Sequence, residues 1–271
     1  MDLIEILGYL SAVVIGFTLG LIGGGGSILT VPALVYLVGV SPVLATAYSL
    51  FVVGLTSLIG SFSYMKKNLL SYKTAIVFAI PSFIAVFLTR KFLVPAIPEE
   101  INLWGFAFGK DIGIMVFFAI IMLASSYSMI RSGKKSSLEP DEDAPPLTFN
   151  YPMIVLEGAV VGVITGIVGA GGGFLIIPAL VVLAKLPIKL AVGTSLLIIA
   201  AKSLIGFLGD VATQKDAIEW TFLAVFTGFS VVGIFLGSYA SKFVPSDKLK
   251  AGFGWFVLIM GVYIIYKELF V

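Results

Sequence analysis

The chain has 271 residues, 59% of them hydrophobic and only 12% charged, with a mean hydropathy of +1.11. Soluble globular domains carry about a quarter charged residues, so this composition reads as an integral membrane protein whose first expected partner is the lipid bilayer. With neither Cys nor His, disulfides, thiol catalysis, Ser-His dyads and imidazole or cysteine metal sites are excluded, and a net charge of +2 gives no basis for a nucleic-acid partner.

A helix needs about 20 apolar residues to cross a hydrocarbon core. In chain order, such runs fall near 3–22, 42–63, 72–94, 111–131, 152–168, 188–209, 217–240 and 249–270. The chain opens Met1-Asp2 and carries Glu5, with no basic residue before the first run, so that run reads as a retained segment and not as a signal peptide. Two shorter runs, about 27–38 and 173–184, each follow a glycine cluster. The stretch 95–110, with Pro95, Pro98, Glu99, Glu100 and Trp104, reads as a loop. Residues 132–150 are rich in Ser, Pro and charge, cannot bury apolar surface, and read as a linker. The expected organisation is therefore a first membrane repeat over 1–131, the linker, and a second repeat over 151–271. Trp104, Trp220 and Trp255 read as interfacial anchors.

The division into repeats rests on a duplication. Gly20-Leu-Ile-Gly-Gly-Gly-Gly-Ser-Ile-Leu-Thr-Val-Pro-Ala-Leu-Val35 is answered by Gly166-Ile-Val-Gly-Ala-Gly-Gly-Gly-Phe-Leu-Ile-Ile-Pro-Ala-Leu-Val181. A constant shift of 146 positions aligns 16–60 with 162–206 without a gap, with 19 identities in 45 positions. The expected fold is all-α, about ten helical segments in two five-segment repeats, each with a glycine-rich broken helix or hairpin.

The cations orient the copies. If all ten runs cross, one side receives 11 of the Lys and Arg residues, including Lys66, Lys67, Lys134 and Lys135. The other receives Arg90, Lys91, Lys110, Lys215 and Lys267, and Lys202 stays inside a run. The rule that cytoplasmic loops are positive places both termini outside and the linker in the cytoplasm of a multi-pass protein. Treating each short run as a lone re-entrant loop would divide the cations 8 and 8, losing the asymmetry. A hairpin formed with the preceding run preserves it, so crossing and hairpin both remain open. Either way each repeat crosses an odd number of times and the second is inverted, the pattern of secondary transporters.

The glycine clusters are the candidate site. Each glycine costs a helix roughly 1 kcal/mol relative to Ala, so Gly23–Gly26 and Gly171–Gly173 should break it and free amide N–H groups in a medium without water. The short helix that restarts presents a partly positive N-terminus, suited to a small anionic substrate. Ser27 stands where an N-cap would stand, and Gly173 replaces it in the second copy. The expected binding set is Gly24, Gly25, Gly26, Ser27, Ser49, Ala170, Gly171, Gly172, Gly173, Thr194, Ser195 and Lys202. Close helix packing is the alternative use of such glycines, bonds to helix carbonyls the alternative use of the hydroxyls, and snorkelling the alternative for Lys202. Glu157 is the candidate coupling carboxylate, or a partner of Lys202, unless it merely faces the interface. No cofactor or metal is expected. A homo-oligomer is compatible with the sequence.

The glycine break followed by Pro32-Ala33-Leu34 and Pro178-Ala179-Leu180, then Ala45-Thr-Ala-Tyr-Ser-Leu50 and Ala191-Val-Gly-Thr-Ser-Leu196, resembles the sulfite exporter TauE/SafE family, also called the toluene sulfonate uptake permease family. The resemblance covers nearly the whole chain. It implies an inner-membrane carrier of sulfite, sulfonate or sulfoacetate type anions, and the sulfur comes from the resemblance alone. The residues themselves point only to an anion site. An anion channel of the same architecture is the competing reading, whereas an enzyme lacks the groups it would need. An intramembrane aspartyl protease requires paired aspartates, and a phosphate loop requires a Lys after the glycines, where Ser27-Ile28 follow.

Overall fold

In hydrocarbon a backbone must satisfy its own N–H and C=O groups, so the long apolar runs have little choice but helix. The computed structural model describes residues 3–103, 106–132, 151–182, 186–214, 217–241, 243 and 246–270. The linker beyond Ser132, Trp104, Lys185, Lys215 and Lys242 lie outside these residues. The chain is an all-α membrane protein. Its helices are α1 (Leu3–Ile22), α2 (Thr30–Ala33), α3 (Pro42–Met65), α4 (Tyr72–Leu88), α5 (Val94–Ala96), α6 (Lys110–Ser132), α7 (Tyr151–Val168), α8 (Gly173–Val182), α9 (Ile188–Gln214), α10 (Trp220–Ala240) and α11 (Ser246–Phe270). Five stretches, Pro42–Met65, Tyr72–Ala96, Lys110–Tyr127, Lys189–Ala212 and Trp220–Ala240, are long and apolar enough to cross a membrane. The apolar faces they leave exposed, such as Ile76, Ile80 and Ile84 along α4, suit lipid contact.

Three local features differ from the sequence expectation. The loop at 95–110 contains a two-stranded antiparallel hairpin, β1 (Glu100–Leu103) and β2 (Phe106–Gly109), which pairs backbone groups that a bare loop would leave to water. The first short run is not one helix. It is a 3₁₀ turn Gly25–Leu29, then α2, then a π turn Leu34–Val38. Ser27 is inside the 3₁₀ turn and is not its N-cap, since Gly24 occupies that position with φ 126°.

Helix pairing follows the sequence duplication. α1 packs on α10, and α7, the counterpart of α1, packs on α4. α3 packs on its own counterpart α9, and α6 on α11. Glycines let these backbones touch. Gly16 lies against Ser230 and Gly20 against Ile234 and Ser238, so α1 and α10 run parallel. Gly158 against Phe78 and Gly162 against Ser82 make α7 and α4 parallel too. In contrast, Leu50 meets Gly206, Gly54 meets Leu204, and Gly60 meets Leu196, so α3 and α9 run antiparallel. The Leu50–Gly206 and Leu196–Gly60 contacts exchange under the same 146-position shift.

Candidate functional site

The structure brings the two glycine breaks into direct contact at the α3/α9 crossing. A methyl group on Gly173 would overlap the Gly24 carbonyl oxygen, and one on Gly24 would lie 3.0 Å from the Gly173 Cα. Gly23 abuts Val192, while its counterpart Gly169 abuts Thr46, the counterpart of Val192. Gly171, held at φ 64°, sits among Val53, Ile199 and Ser27. That left-handed conformation, with neighbours on every side, leaves room for no side chain. Among the described residues no carbonyl accepts the amide hydrogens of Gly24, Gly171 or Gly173. The junction therefore holds free backbone donors in a buried setting, the condition for binding an anion.

Lys202 on α9 lies beside the second break. It is completely buried, and its Nζ donates to Thr165 Oγ1 at 2.9 Å. A methyl on Gly172 would come 2.6 Å from that Nζ, so the ammonium lies against the second break. Thr165 spends its own proton on the Val161 carbonyl at 2.7 Å, which fixes its oxygen as an acceptor. Among the described residues no carboxylate pairs with Lys202. An ammonium in such a place calls for an anionic partner. Glu157 is not that partner: it is half-buried on α7, eight residues before Thr165, about 12 Å of helical rise away from the Lys202 contact.

The hydroxyls divide. Ser27 donates to the Gly24 carbonyl at 2.7 Å, and Ser195 reaches across the duplication to donate to the Gly23 carbonyl at 2.9 Å as well as to Val192 at 2.8 Å. Both hold the shape of the first break. Thr194 accepts the Ser71 amide at 2.9 Å, at the N-cap of α4. Tyr48, its counterpart, accepts the Glu219 amide at 2.7 Å, at the N-cap of α10. Thr194 is thus brought to a helix end and not to the break. Ser49 is buried with no partner for its hydroxyl among the described residues. Ala170 is buried and accepts the Gly172 amide at 2.7 Å, while Gly26 packs on Thr18 and Leu19 of α1.

Four groups at or near this junction were not singled out from sequence. Thr165 was one. Ser57 and Ser203 are counterparts, each buried without a hydroxyl partner and each on the stripe of its helix that carries the α3/α9 contacts. Their identity across the duplication was the available signal. The fourth is an ion pair: Arg90 Nε lies 3.0 Å from Asp210 Oδ2, both ends buried, and the same guanidinium donates to Thr46 Oγ1 at 3.0 and 2.9 Å. Arg90 had been counted as a loop cation, but the π turn Thr89–Leu93 that prolongs α4 carries it inward.

Comparison with known proteins gives the family. Residues 9–264 match the family model described as Sulfite exporter TauE/SafE. A "Probable membrane transporter protein" of Xylella fastidiosa (strain Temecula1 / ATCC 700964) is 28% identical over 267 residues, covering 94% of this chain and 92% of that protein. The Bacillus subtilis (strain 168) "Probable membrane transporter protein YunE" is 26% identical over 283 residues, covering 97% of this chain and all of its own length. No solved structure gives a significant match. With opposed glycine breaks inside a helical membrane bundle, and a family match from end to end, the chain belongs to the sulfite exporter TauE/SafE family of membrane transporters.

Proposed function

We propose that this protein is a secondary transporter that moves small sulfur-containing anions of sulfite, sulfonate or sulfoacetate type across the cytoplasmic membrane by alternating access. The observation that carries the reading is Lys202: a completely buried ammonium with no paired carboxylate among the described residues, set against the second glycine break. The anion supplies its missing charge. The free amides of Gly24, Gly171 and Gly173 hold its oxygens, Lys202 neutralises it, and Ser49, Ser57 and Ser203 offer hydroxyls. Ser27, Thr194 and Ser195 keep the break and its neighbouring helix ends in shape. The repeats are inverted in the membrane, a reading supported by the antiparallel α3/α9 pair and its exchanged contacts, and they rock about the junction. The termini face outward and the linker faces the cytoplasm. Glu157 is the coupling candidate, half-buried on α7 two turns before Thr165. The family description supports the sulfur chemistry.

Counterflow in proteoliposomes tests the reading. Internal sulfite should accelerate uptake of labelled sulfite, and thermal stabilisation of the purified protein should rank sulfite, sulfate, thiosulfate and an organosulfonate by affinity. Flux without trans-stimulation would make the protein an anion channel. Lys202→Met should weaken the sulfite-induced shift at least about tenfold, since a charge-assisted bond to a buried anion is lost.

A further inference from the structure

The Arg90–Asp210–Thr46 cluster adjoins the glycine junction through Thr46, which lies against Gly169. A recess of about 420 Å³ opens at the hairpin end of the molecule, walled by Val43, Val94, Glu99, Lys110 and Asp111 among others. The cluster does not line it but is buried behind the wall residues Val43 and Val94. Thr46 donates to the carbonyl of the wall residue Val43 at 2.7 Å, and Arg90 lies one turn before the wall residue Val94. On the inner side, the Thr46 backbone touches Gly169, where the second break begins. Thr46 therefore links the recess wall to the second break.

The charges are placed unevenly. At the rim Lys110 stands with Glu99, at 3.6 Å, and Asp111, so the recess itself does not select anions. Selection falls to Arg90, a planar donor matched to carboxylate and oxyanion geometry alike. Asp210 already occupies it. The opposite end of the molecule lacks this device: the counterparts of Thr46 and Asp210 are Val192 and Tyr64, and α10 contains no Lys or Arg. The pair joins α9 to the extension of α4 and would have to part if those elements moved relative to one another.

We propose that Arg90 is an access site for the anion: paired with Asp210 it shuts the passage from the recess to the glycine junction, and it opens the passage when an incoming oxyanion replaces the Asp210 carboxylate. The step is an exchange of partners on one guanidinium, and the displaced Asp210 carboxylate, buried as it is, takes up a proton from the water of the recess as the anion arrives. It builds on the transport reading, but its test does not need transport. The chain has no native Cys, so Ala170→Cys, at the second break, can be probed in nanodiscs with membrane-impermeant methanethiosulfonates carrying either a sulfonate or a quaternary ammonium.

In Ala170→Cys the sulfonate reagent should react at least about tenfold faster than the cationic one, because only the anion can displace Asp210. Adding Arg90→Gln with Asp210→Asn, which removes both charges together and leaves neither unpaired, should raise both rates and reduce the preference at least about fivefold. Val43→Cys in the recess serves as the accessible control. Should the neutral pair disturb folding, Arg90→Lys, which keeps the charge but not the planar fork, should give an intermediate preference. Unchanged rates and preference in the altered proteins would overturn the access role. Loss of sulfite counterflow in wild type, with these accessibility changes intact, would instead overturn the transport reading and leave the access site standing.

Discussion

At the residue scale, the glycines and Lys202 were legible because each violates what a membrane helix normally wants. A doubled cluster of helix breakers and a lone cation in an apolar run both carry a cost that only a site or a packing need explains. The structure shows what each glycine packs against. Gly173 faces the Gly24 backbone, which cannot swing aside like the end of a side chain. Gly173→Ala should therefore abolish sulfite counterflow while membrane insertion persists; normal flux would remove the junction from the mechanism. Gly228→Ala is the matched control, with nothing within 4 Å of the added methyl, and its unfolding stability should not fall but rise by up to about 1 kcal/mol, since Ala replaces Gly inside α10. The hydroxyls were less legible. A sequence shows that Ser195 owns a donor but not that the nearest acceptor is the Gly23 carbonyl, 172 positions away. Arg90 and Asp210 were missed as a pair for a related reason: hydropathy finds the ends of runs only loosely, and each sits where a run and a loop are hard to tell apart.

At the element scale, the long helices recover the long apolar runs, since length and hydropathy are properties a run carries by itself. What joins them is different in kind. Tyr48 of α3 accepts the N-cap amide of α10, and Thr194 of α9 accepts the N-cap amide of α4, so each half of the chain holds down a helix of the other. Tyr48→Phe should cost about 1 kcal/mol, read as a lowered unfolding midpoint in detergent, with sulfite binding unchanged. An unaltered midpoint would show that water replaces the phenol at no cost. The α1/α10 interface makes a sharper demand. Gly237 lies against the backbone of Phe17 and Leu21, so Gly237→Leu should leave insertion intact and destroy the monodisperse purified protein, as checked by size exclusion. A monodisperse variant would mean that the two helices can part without loss of fold.

At the scale of the whole molecule, equivalent loops should lie on opposite sides of the membrane. With no native Cys, Lys67→Cys after α3 and Ala217→Cys after α9 report this without background. Impermeant thiol reagents should reach Cys at 217 from outside and Cys at 67 only after permeabilisation; labelling of both from one side would end the inverted arrangement. The amino-acid sequence by itself determined the membrane solvent, the helical class, the duplication and the position of both breaks, because those follow from local hydropathy, from backbone preference and from comparison of the chain with itself. Only the tertiary structure decided that the two breaks touch, that Lys202 stands against Gly172 with Thr165 as its acceptor, and that Arg90 reaches Asp210 and Thr46. These depend on which faces of distant helices meet, and that is set by close glycine contacts across the whole bundle, which no stretch of the sequence contains alone.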